Sequence, residues 1–302
     1  MSRSTDRPVP VDGEVAVDRI VAIDDPDDPR LGDYAALTDA ALRKRYEHRE
    51  GVLIAEGPNP VRELVASRYP VRSLLVSEGR LAAVTDVVAA TAATAAPVYV
   101  LPQPVLEELV RFRLHQGVLA CGERLPLAPL GAVVGGARRL LVLEGLNDHE
   151  NLGALFRTAR AVGVDGVVLG PGCADPLYRR SVRVSMGHVL HVPFARADTT
   201  AQALEVLHAA GVTTLALTPD PAAVPIGSVA LDDTPTALLL GAEGPGLSPP
   251  ALGGATHRVR IGMRPEVDSL NVAAAGAIAC HVLAQGLGLG GGSPPGGLTA
   301  GA

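Results

Sequence analysis

The chain of 302 residues carries 26 basic against 32 acidic residues, a formal net charge of −6, and its length suits one large domain or two ordinary ones. Its 47% hydrophobic and 19% charged residues are typical of a globular protein, and no apolar run is long enough to span a bilayer, so we expect no membrane partner. The three cysteines lack the spacing of a zinc site, which predicts no metal and a reducing, cytoplasmic setting.

The first part of the chain predicts a flexible tail over residues 1–32 and then a small α/β domain over residues 33–124. A helix is predicted from Asp33, where apolar side chains recur on one side. Asn59 is a candidate N-cap of a second helix, with Pro60 at its first position. Strands and helices alternate here: GVLIAEG, VRSLLVSEG and VYVLP are predicted strands, and NPVRELVASRYP, RLAAVTDVVAATAATAAP and PVLEELVRF are predicted helices.

The second part begins after a linker rich in Pro and Gly, predicted over residues 125–137, and fills residues 138–289. Its strands are almost wholly apolar, which favours a mainly parallel sheet buried on both faces. Residues 290–302 are rich in Gly and Pro and are predicted to be disordered. RRLLVLEGL, GVVLG, VTTLALT, TALLLGAEG and HRVRIGM are the predicted strands, and NLGALFRTARAVG, RVSMGHVL, TAQALEVLHAAG and SLNVAAAGAIACHVLAQGLG are the predicted helices.

Polar residues follow the first strand of this second domain. Asn151 stands at the predicted start of a helix, where its side chain suits an N-cap. Arg157 lies roughly two turns further on, where a cation near a helix start opposes the macrodipole. Taken alone, Asn151 is explained by a plain helix cap, and Arg157 is far better explained as a surface arginine than as a functional residue.

Two later strands also give way to glycines and polar side chains. After three leucines come Gly241, Glu243 and Gly244, at the carboxyl edge of the predicted parallel sheet, where open α/β sheets bind ligands. Ile261 and Met263 are expected to end a strand. Ser269 and Asn271 are candidate caps of the Ala-rich helix that follows. A plain Gly-rich turn is the alternative for the first of these loops.

Arginines occur in groups, and an arginine fork suits phosphate. For each group, contact with RNA and a solvated helix face are equally supported, and the acidic net charge weighs against nonspecific nucleic-acid binding. The groups are Arg43, Lys44, Arg45 and Arg49; Arg138 and Arg139; and Arg179, Arg180 and Arg183.

In this order, LVLEGLNDHENLGALFRTARAVGVDGVVL, ALLLGAEGPGLS and VRIGMRPEVDSLNVAAAGAIACHVLA resemble the signature of the SpoU (TrmH) family of RNA ribose methyltransferases, in the SPOUT class. RVSMGHVLHVPF, with Ser185 and Gly187, resembles the stretch between those motifs, and GVLIAEGPNPVRELV and HQGVLACGE resemble the substrate-binding domain that precedes many SpoU domains. The resemblance covers about residues 33–289. It implies an α/β fold in which a C-terminal SPOUT domain, with a parallel sheet and a deep trefoil knot, follows a small α/β substrate-binding domain.

The same resemblance implies S-adenosylmethionine (AdoMet) as cofactor, structured RNA as substrate and a homodimer. The residues implied to bind the cofactor are Gly241, Gly244, Ile261, Met263 and Leu270. The residues implied to serve methyl transfer are Asn151, Arg157, Glu243, Ser269 and Asn271. The chain departs from the family pattern at Gly262, where Pro is usual, and at Ala273, where Ser is usual.

The implied reaction is methyl transfer to a ribose 2′-hydroxyl, on ribosomal rather than transfer RNA. Arg157 is either the base or, because a guanidinium stays protonated, a cation that binds phosphate and stabilises the developing alkoxide while Glu243 or a substrate phosphate takes the proton. One alternative is a noncatalytic RNA-binding or ribosome-assembly factor that retains the fold. Another is an α/β enzyme that uses a different nucleotide, which the absence of a P-loop and of a dinucleotide fingerprint disfavours.

Overall fold

The computed structural model describes residues 19–229 and 234–285, which form two compact units. The first unit takes the described residues through Leu127 together with Asp148–Arg157 and Ala174–His191. The second unit takes Ala128–Asn147, Thr158–Cys173 and the described residues from Val192 onward. The two units therefore interleave along the chain instead of meeting once at a linker. The predicted tail at 290–302, and the predicted tail before residue 19, lie outside the described residues.

The strands and helices of the described residues are as follows. The strands are β1 Ile20–Ala22, β2 Val52–Glu56, β3 Val71–Ser77, β4 Val98–Leu101, β5 Val118–Glu123, β6 Arg139–Leu143, β7 Gly166–Leu169, β8 Phe194–Arg196, β9 Thr213–Leu217, β10 Val224–Pro225, β11 Thr236–Leu240 and β12 His257–Arg260. The helices are α1 Ala40–Glu50, α2 Pro58–Val65, α3 Thr85–Ala90, α4 Gln103–Val110, α5 Leu130–Val134, α6 His149–Ala161, α7 Arg179–Val184, α8 Thr200–Ala209, α9 Pro249–Gly254 and α10 Val272–Gln285.

The first unit contains a mixed sheet of five strands in the order β1-β4-β3-β5-β2. Strands β1, β4 and β3 are parallel, and β5 runs antiparallel to both β3 and β2. The tail predicted over residues 1–32 is corrected here, because the apolar triplet Ile20–Ala22 pairs with β4 and Pro29–Tyr34 forms a 3₁₀ helix. The many acidic residues around these short elements made the composition of the segment typical of a flexible tail, although the described part of it is folded.

Three helix predictions in the first unit need correction. The helix expected from Asp33 begins at Ala40, because the side chain of Asp39 accepts a hydrogen bond from the Leu42 N–H and so caps it. Asn59 is not an N-cap: α2 begins at Pro58, with Gly57 in the cap position. The long helix expected after β3 is instead α3 flanked by two 3₁₀ segments, Glu78–Val84 and Thr91–Thr94.

The second unit contains a sheet of seven parallel strands in the order β10-β12-β9-β11-β6-β7-β8. Every residue of β6, β7 and β11 is buried, as expected for strands covered on both faces. The parallel α/β prediction is therefore confirmed. The segment predicted as a linker over 125–137 contains the short helix α5.

Two boundaries in the second half of the chain differ from expectation. Strand β12 ends at Arg260, so Ile261 and Met263 lie in the loop after it and do not end the strand. The helix expected over RVSMGHVL stops at Val184, because Ser185 forms its C-cap and Gly187 adopts a φ of 85°. Strands β5, β8 and β10 and helix α9 were not predicted, since most of them are too short to show a hydrophobic period.

The core of the first unit is organised around Tyr34, which is fully buried. Its hydroxyl lies 2.9 Å from the carbonyl oxygen and 2.8 Å from Oγ of Ser73, and it accepts a hydrogen bond of 3.1 Å from the Cys121 N–H. Burial raises the pKa of Tyr34 well above its usual range. A single side chain therefore ties β3 to β5 from inside the core.

We expect Tyr34→Phe to lower the free energy of unfolding by about 1–3 kcal/mol, because it leaves the buried Cys121 N–H without its acceptor. Urea unfolding monitored by circular dichroism measures this change. The matched control is Tyr99→Phe, at a half-buried hydroxyl that forms no hydrogen bond within the described chain. An equal loss in both variants would contradict the role given to the Tyr34 hydroxyl.

Candidate active site

A cavity of about 320 Å³ lies at the carboxyl ends of three neighbouring strands of the second unit, β12, β9 and β11. The loop after each strand supplies part of the wall, and the first turn of α10 supplies the rest. This is the edge at which open parallel α/β sheets bind ligands. The lining residues are Leu217, Thr218, Pro219, Leu240, Gly241, Ala242, Glu243, Gly244, Gly246, Ile261, Met263, Ser269, Leu270, Asn271, Val272 and Ala275.

The loop after β11 folds back tightly on itself. A Cβ placed on Gly241 would lie 2.2 Å from the carbonyl carbon of Gly246, so only glycine fits there. The Gly246 N–H donates to the carbonyl oxygen of Ala242 at 3.0 Å, and Gly244, between them, has a φ of 86°. Close approach of backbone to backbone therefore gives this wall of the cavity its shape.

Asn271 connects two walls of the cavity. Its Oδ1 accepts hydrogen bonds from the N–H groups of Ala273 at 2.9 Å and Ala274 at 3.2 Å, so it caps α10 as expected. Its Nδ2 donates to Oε1 of Glu243 at 2.8 Å. One side chain thus sets the start of the helix and orients the carboxylate on the neighbouring loop. Ser269 lies two residues earlier and lines the cavity without capping the helix.

The loop after β12 adds apolar side chains to the same cavity. Ile261 and Met263 are half-buried in its wall, and Leu270 keeps 38% of its surface exposed. Between the first two, a Cβ on Gly262 would meet no atom within 4 Å, so this glycine is not required by close packing. A larger residue, such as the proline usual in the family, would therefore meet no steric obstacle at its Cβ.

Asn151 and Arg157 lie on α6, in the portion that belongs to the first unit. Asp148, not Asn151, caps this helix: its Oδ1 accepts from the N–H groups of Asn151 at 3.0 Å and Glu150 at 2.6 Å. The hydrogen bond from the Asn151 N–H is the main reason that the pKa of Asp148 is lowered. Arg157 is exposed, and no carboxylate of the described residues pairs with it. The roles implied for both residues stay predictions.

Glu144 was not among the predicted site residues, and it does not line the cavity, but it holds one end of a loop that does. Its carboxylate accepts hydrogen bonds from the N–H and Oγ of Ser248, both at 2.8 Å, and from Oγ1 of Thr200. Ser248 in turn caps α9, directly after the loop that contains Gly241. Glu144 therefore fixes the far end of that loop to the end of β6. An acidic residue directly after a wholly apolar strand was the available signal.

Thr218 and Pro219 were also missed, although they line the cavity. They follow β9 just as the recognised residues follow β11, so the same rule of polar or breaking residues after a buried strand would have found them. Among the lining residues, Glu243 is the one ionisable side chain, and no Lys, Arg or His contributes. The cavity is therefore suited to an uncharged or cationic ligand more than to a phosphate.

Two further observations concern the described residues only. None of their helices is long and apolar enough to cross a membrane. None of their His, Cys, Asp and Glu side chains gather in threes in a way that would hold a metal ion.

Comparisons with known proteins agree with this geometry. Residues 138–281 match the SpoU rRNA methylase family, and residues 54–126 match the substrate-binding domain of RNA 2′-O ribose methyltransferases. A Mycobacterium tuberculosis protein named as an uncharacterized tRNA/rRNA methyltransferase is 46% identical over 259 residues, which cover 85% of this chain and 89% of that protein. The chain belongs to the SpoU family. It is therefore an RNA methyltransferase by family, and the predicted family is confirmed.

Solved structures of SpoU-type enzymes share the fold. The AdoMet-bound rRNA methyltransferase from Sinorhizobium meliloti is 27% identical, with a TM-score of 0.77 over 89% of this chain and 99% of that one. The SpoU methyltransferase AviRb from Streptomyces viridochromogenes, at 23% identity and a TM-score of 0.70 over 86% of this chain and 98% of that one, supports the fold alone. The two-part α/β architecture is thus confirmed.

We expect Gly241→Ala to lower the free energy of unfolding by about 1–3 kcal/mol, because its methyl group would overlap the backbone of Gly246. The control is Gly253→Ala in α9, where the added methyl meets no atom within 4 Å and removes backbone entropy from the unfolded chain. Urea unfolding of both variants makes the measurement. Equal stability of the two would contradict the tight loop described for this SpoU chain.

Proposed function

We propose that this chain transfers a methyl group from AdoMet to a ribose 2′-hydroxyl of structured RNA, and that the RNA is ribosomal. The observation that carries the proposal is the convergence of three loops, after β9, β11 and β12, on one cavity at the carboxyl edge of the parallel sheet. The match of residues 54–126 to a 2′-O ribose methyltransferase substrate-binding domain supports ribose as the acceptor. The rRNA methyltransferase from Sinorhizobium meliloti, solved with AdoMet bound, supports both cofactor and RNA class.

The residues of the cavity fit AdoMet in size and chemistry. A volume of about 320 Å³ lies within the range of roughly 300–1,000 Å³ found for small-molecule sites. Leu217, Leu240 and Ile261 offer apolar surface to a flat base, while exposed backbone groups of the loop at Gly241 offer hydrogen bonds. Glu243 gives the wall a negative charge, and no Lys, Arg or His is among the described residues that line the cavity. A sulfonium ligand without phosphate suits this wall better than a dinucleotide does.

When bound, AdoMet supplies an activated methyl group, which leaves positioning and one proton to the protein. Gly241, Gly244, Ile261, Met263 and Leu270 hold the cofactor, as the family resemblance implies. Asn271 holds the carboxylate of Glu243 at one orientation through a bond of 2.8 Å, and Ser269 adds a hydroxyl to the same wall. These polar groups orient the reacting side of the cavity.

Arg157 acts as a cation in this proposal. A guanidinium in a protein does not give up its proton at neutral pH, so it is a poor base. Its exposure and lack of a carboxylate partner within the described chain leave its fork available to a phosphate or to a developing alkoxide. Asn151, six residues earlier on α6, is the other residue of this helix that the family resemblance implies in methyl transfer.

Three further expectations belong to the same proposal: a deep trefoil knot, a homodimer and a cytoplasmic location. Helix α10 and the loop before it leave large apolar side chains exposed, at Val267, Leu270 and Ile278. Exposed apolar surface of this kind favours a protein partner, and a second copy of the chain is the simplest one.

We expect Arg157→Ala to reduce methyl transfer by at least about tenfold, because it removes a charge-assisted contact worth about 1.5–3 kcal/mol. The measurement is transfer of labelled methyl from AdoMet to ribosomal and transfer RNA from cells lacking the gene. The matched control is Arg160→Ala, an exposed arginine one turn further along α6, which should retain activity.

Labelled ribosomal RNA in which one phosphodiester bond resists alkaline cleavage supports transfer to a ribose 2′-hydroxyl, because that cleavage needs the hydroxyl free. Label in transfer RNA alone would overturn the ribosomal assignment, and label on a base would overturn the ribose assignment. Binding of AdoMet without transfer to any RNA would favour the noncatalytic assembly factor.

We expect Glu144→Gln to weaken AdoMet binding on the order of tenfold, because it replaces a charged acceptor of three hydrogen bonds and loosens the loop at Gly241. Isothermal titration calorimetry with AdoMet measures the dissociation constant. Glu205→Gln, at an exposed carboxylate on α8, is the control and should bind as the wild type does. Unchanged binding by Glu144→Gln would refute its positioning role.

A further inference from the structure

Most of the arginines that sequence grouping offered for RNA contact are engaged within the protein. Arg179 and Arg183 both pair with Glu56, and Arg180 pairs with Glu150. Arg43 is only 2% exposed and lies beside Glu47. Arg139 is 1% exposed and donates to backbone carbonyls of the second unit. These five arginines therefore already have partners within the protein, whether they are buried or exposed.

A different set of basic side chains lies free on the loop between α4 and β5, in the first unit. We call residues 111–117 the basic loop. Its side chains alternate: Phe112 and Leu114 pack into the core, while Arg111, Arg113 and His115 are exposed. Arg80 is also exposed, and its guanidinium donates to the carbonyl oxygen of His115 at 3.3 Å. The pattern places four basic side chains on one small surface.

The basic loop is held in shape from several sides. The Gln103 amide donates both to the Leu114 carbonyl oxygen at 2.9 Å and to Oε1 of Glu107 at 2.8 Å. At its far end, a Cβ on Gly117 would lie 2.3 Å from Oγ of Ser77, and the Ser77 N–H donates to the Gly117 carbonyl oxygen at 2.8 Å. The exposed cations therefore project from a backbone that is fixed before any ligand arrives.

Within the part of the chain that the structure describes, these basic side chains form no ion pair with a carboxylate. None of the ion pairs within the described ranges involves Arg80, Arg111, Arg113 or His115. The acidic side chain nearest in the hydrogen-bond network, Glu107, is occupied by Gln103. In a chain with a net charge of −6, such an uncompensated basic surface is a local exception that suits an anionic partner.

Arg111 occupies a backbone position where glycine is the usual residue. It terminates α4 in the left-handed region, with φ 62° and ψ 31°. Helices commonly end with glycine at such a position, because a side chain there is strained. An arginine is thus present at a site where the fold itself would be served better by glycine, which points to a role for its side chain in binding.

We propose that the basic loop, together with Arg80, grips the phosphate backbone of the RNA substrate. This inference rests on the proposed function. Arg111 and Arg113 are both exposed on this short loop, and their guanidinium forks match phosphate oxygens. His115 offers a ring on which an unpaired base stacks. We expect the loop to contribute to RNA affinity and not to cofactor binding, because none of its residues lines the cavity.

The test uses the full-length protein and ribosomal RNA purified from cells lacking the gene. The variants are Arg111→Gly, Arg113→Gln and the two combined. The matched double control is Arg62→Gln with Arg180→Gln, which removes the same charge from arginines paired with Asp86 and Glu150. Filter binding across a range of salt concentrations gives the RNA dissociation constant and its salt dependence, and calorimetry gives the AdoMet dissociation constant.

We expect each variant of the basic loop to lower the slope of log K against log salt by about 1, and the combined variant to weaken RNA binding at least about tenfold. AdoMet affinity stays at the wild-type value, and the melting temperature of Arg111→Gly is equal to or above that of the wild type, since glycine relieves the strained φ. This combination separates a binding role from a structural one. If Arg111 served only the stability of the fold, its replacement by glycine would lower the melting temperature.

Two results would overturn the inference. One is an unchanged salt slope in the combined variant while the wild type still binds and methylates RNA. The other is an equal loss of RNA affinity in the control, which would make net charge the cause. If the wild type itself neither binds nor methylates RNA, the proposed function fails first, and that outcome is visible before any variant is compared.

Discussion

Parallel pairing of β9 with both β11 and β12 is the constraint on which the cavity depends. Because the three strands are adjacent and point the same way, their following loops must meet at one edge of the sheet. Local contacts then give these loops their shape. Gly241 allows backbone to approach backbone, and the Asn271 amide donates a hydrogen bond to Glu243 on the neighbouring loop. The carboxylate of Glu144 accepts a hydrogen bond from the Ser248 N–H at the end of the loop after β11. The strand order therefore determines where the cavity lies, and individual side chains determine its shape and polarity.

The two units place their hydrogen-bonded and charged side chains differently. In the first unit, the Tyr34 hydroxyl joins β3 to β5 by hydrogen bonds within the core. Arg179 and Arg183 of α7 both form ion pairs with Glu56. In the second, two exposed polar side chains, Glu243 and Asn271, line the cavity at the sheet edge. Such a division matches the two tasks of an RNA methyltransferase, which must hold a large polyanion with one part of the chain and a small cationic cofactor with another.

The apolar runs of β6, β7, β9 and β11 were sufficient to predict the parallel sheet, because strands buried on both faces cannot alternate. The roles of the residues after β11 and before α10 came from the family resemblance, because a Gly-rich turn and a helix cap explain the same residues on local grounds alone. Short elements such as β8 and α9 escaped because they hold less than two periods of any pattern. The ion pairs of the arginines could not be predicted either. Whether Arg179 or Arg113 forms an ion pair depends on carboxylates far away in sequence, which residue spacing does not reveal.

The central position of β11 also bears on how the molecule comes into being. This strand pairs on one side with β9 and on the other with β6, which lies about a hundred residues earlier in the chain. Closing so long a loop costs conformational entropy before any contact repays it, and topologies rich in distant contacts fold slowly. The loop after β11, which forms one wall of the cavity, takes its place only once this distant pairing has formed, so we expect cofactor binding to require a completed sheet.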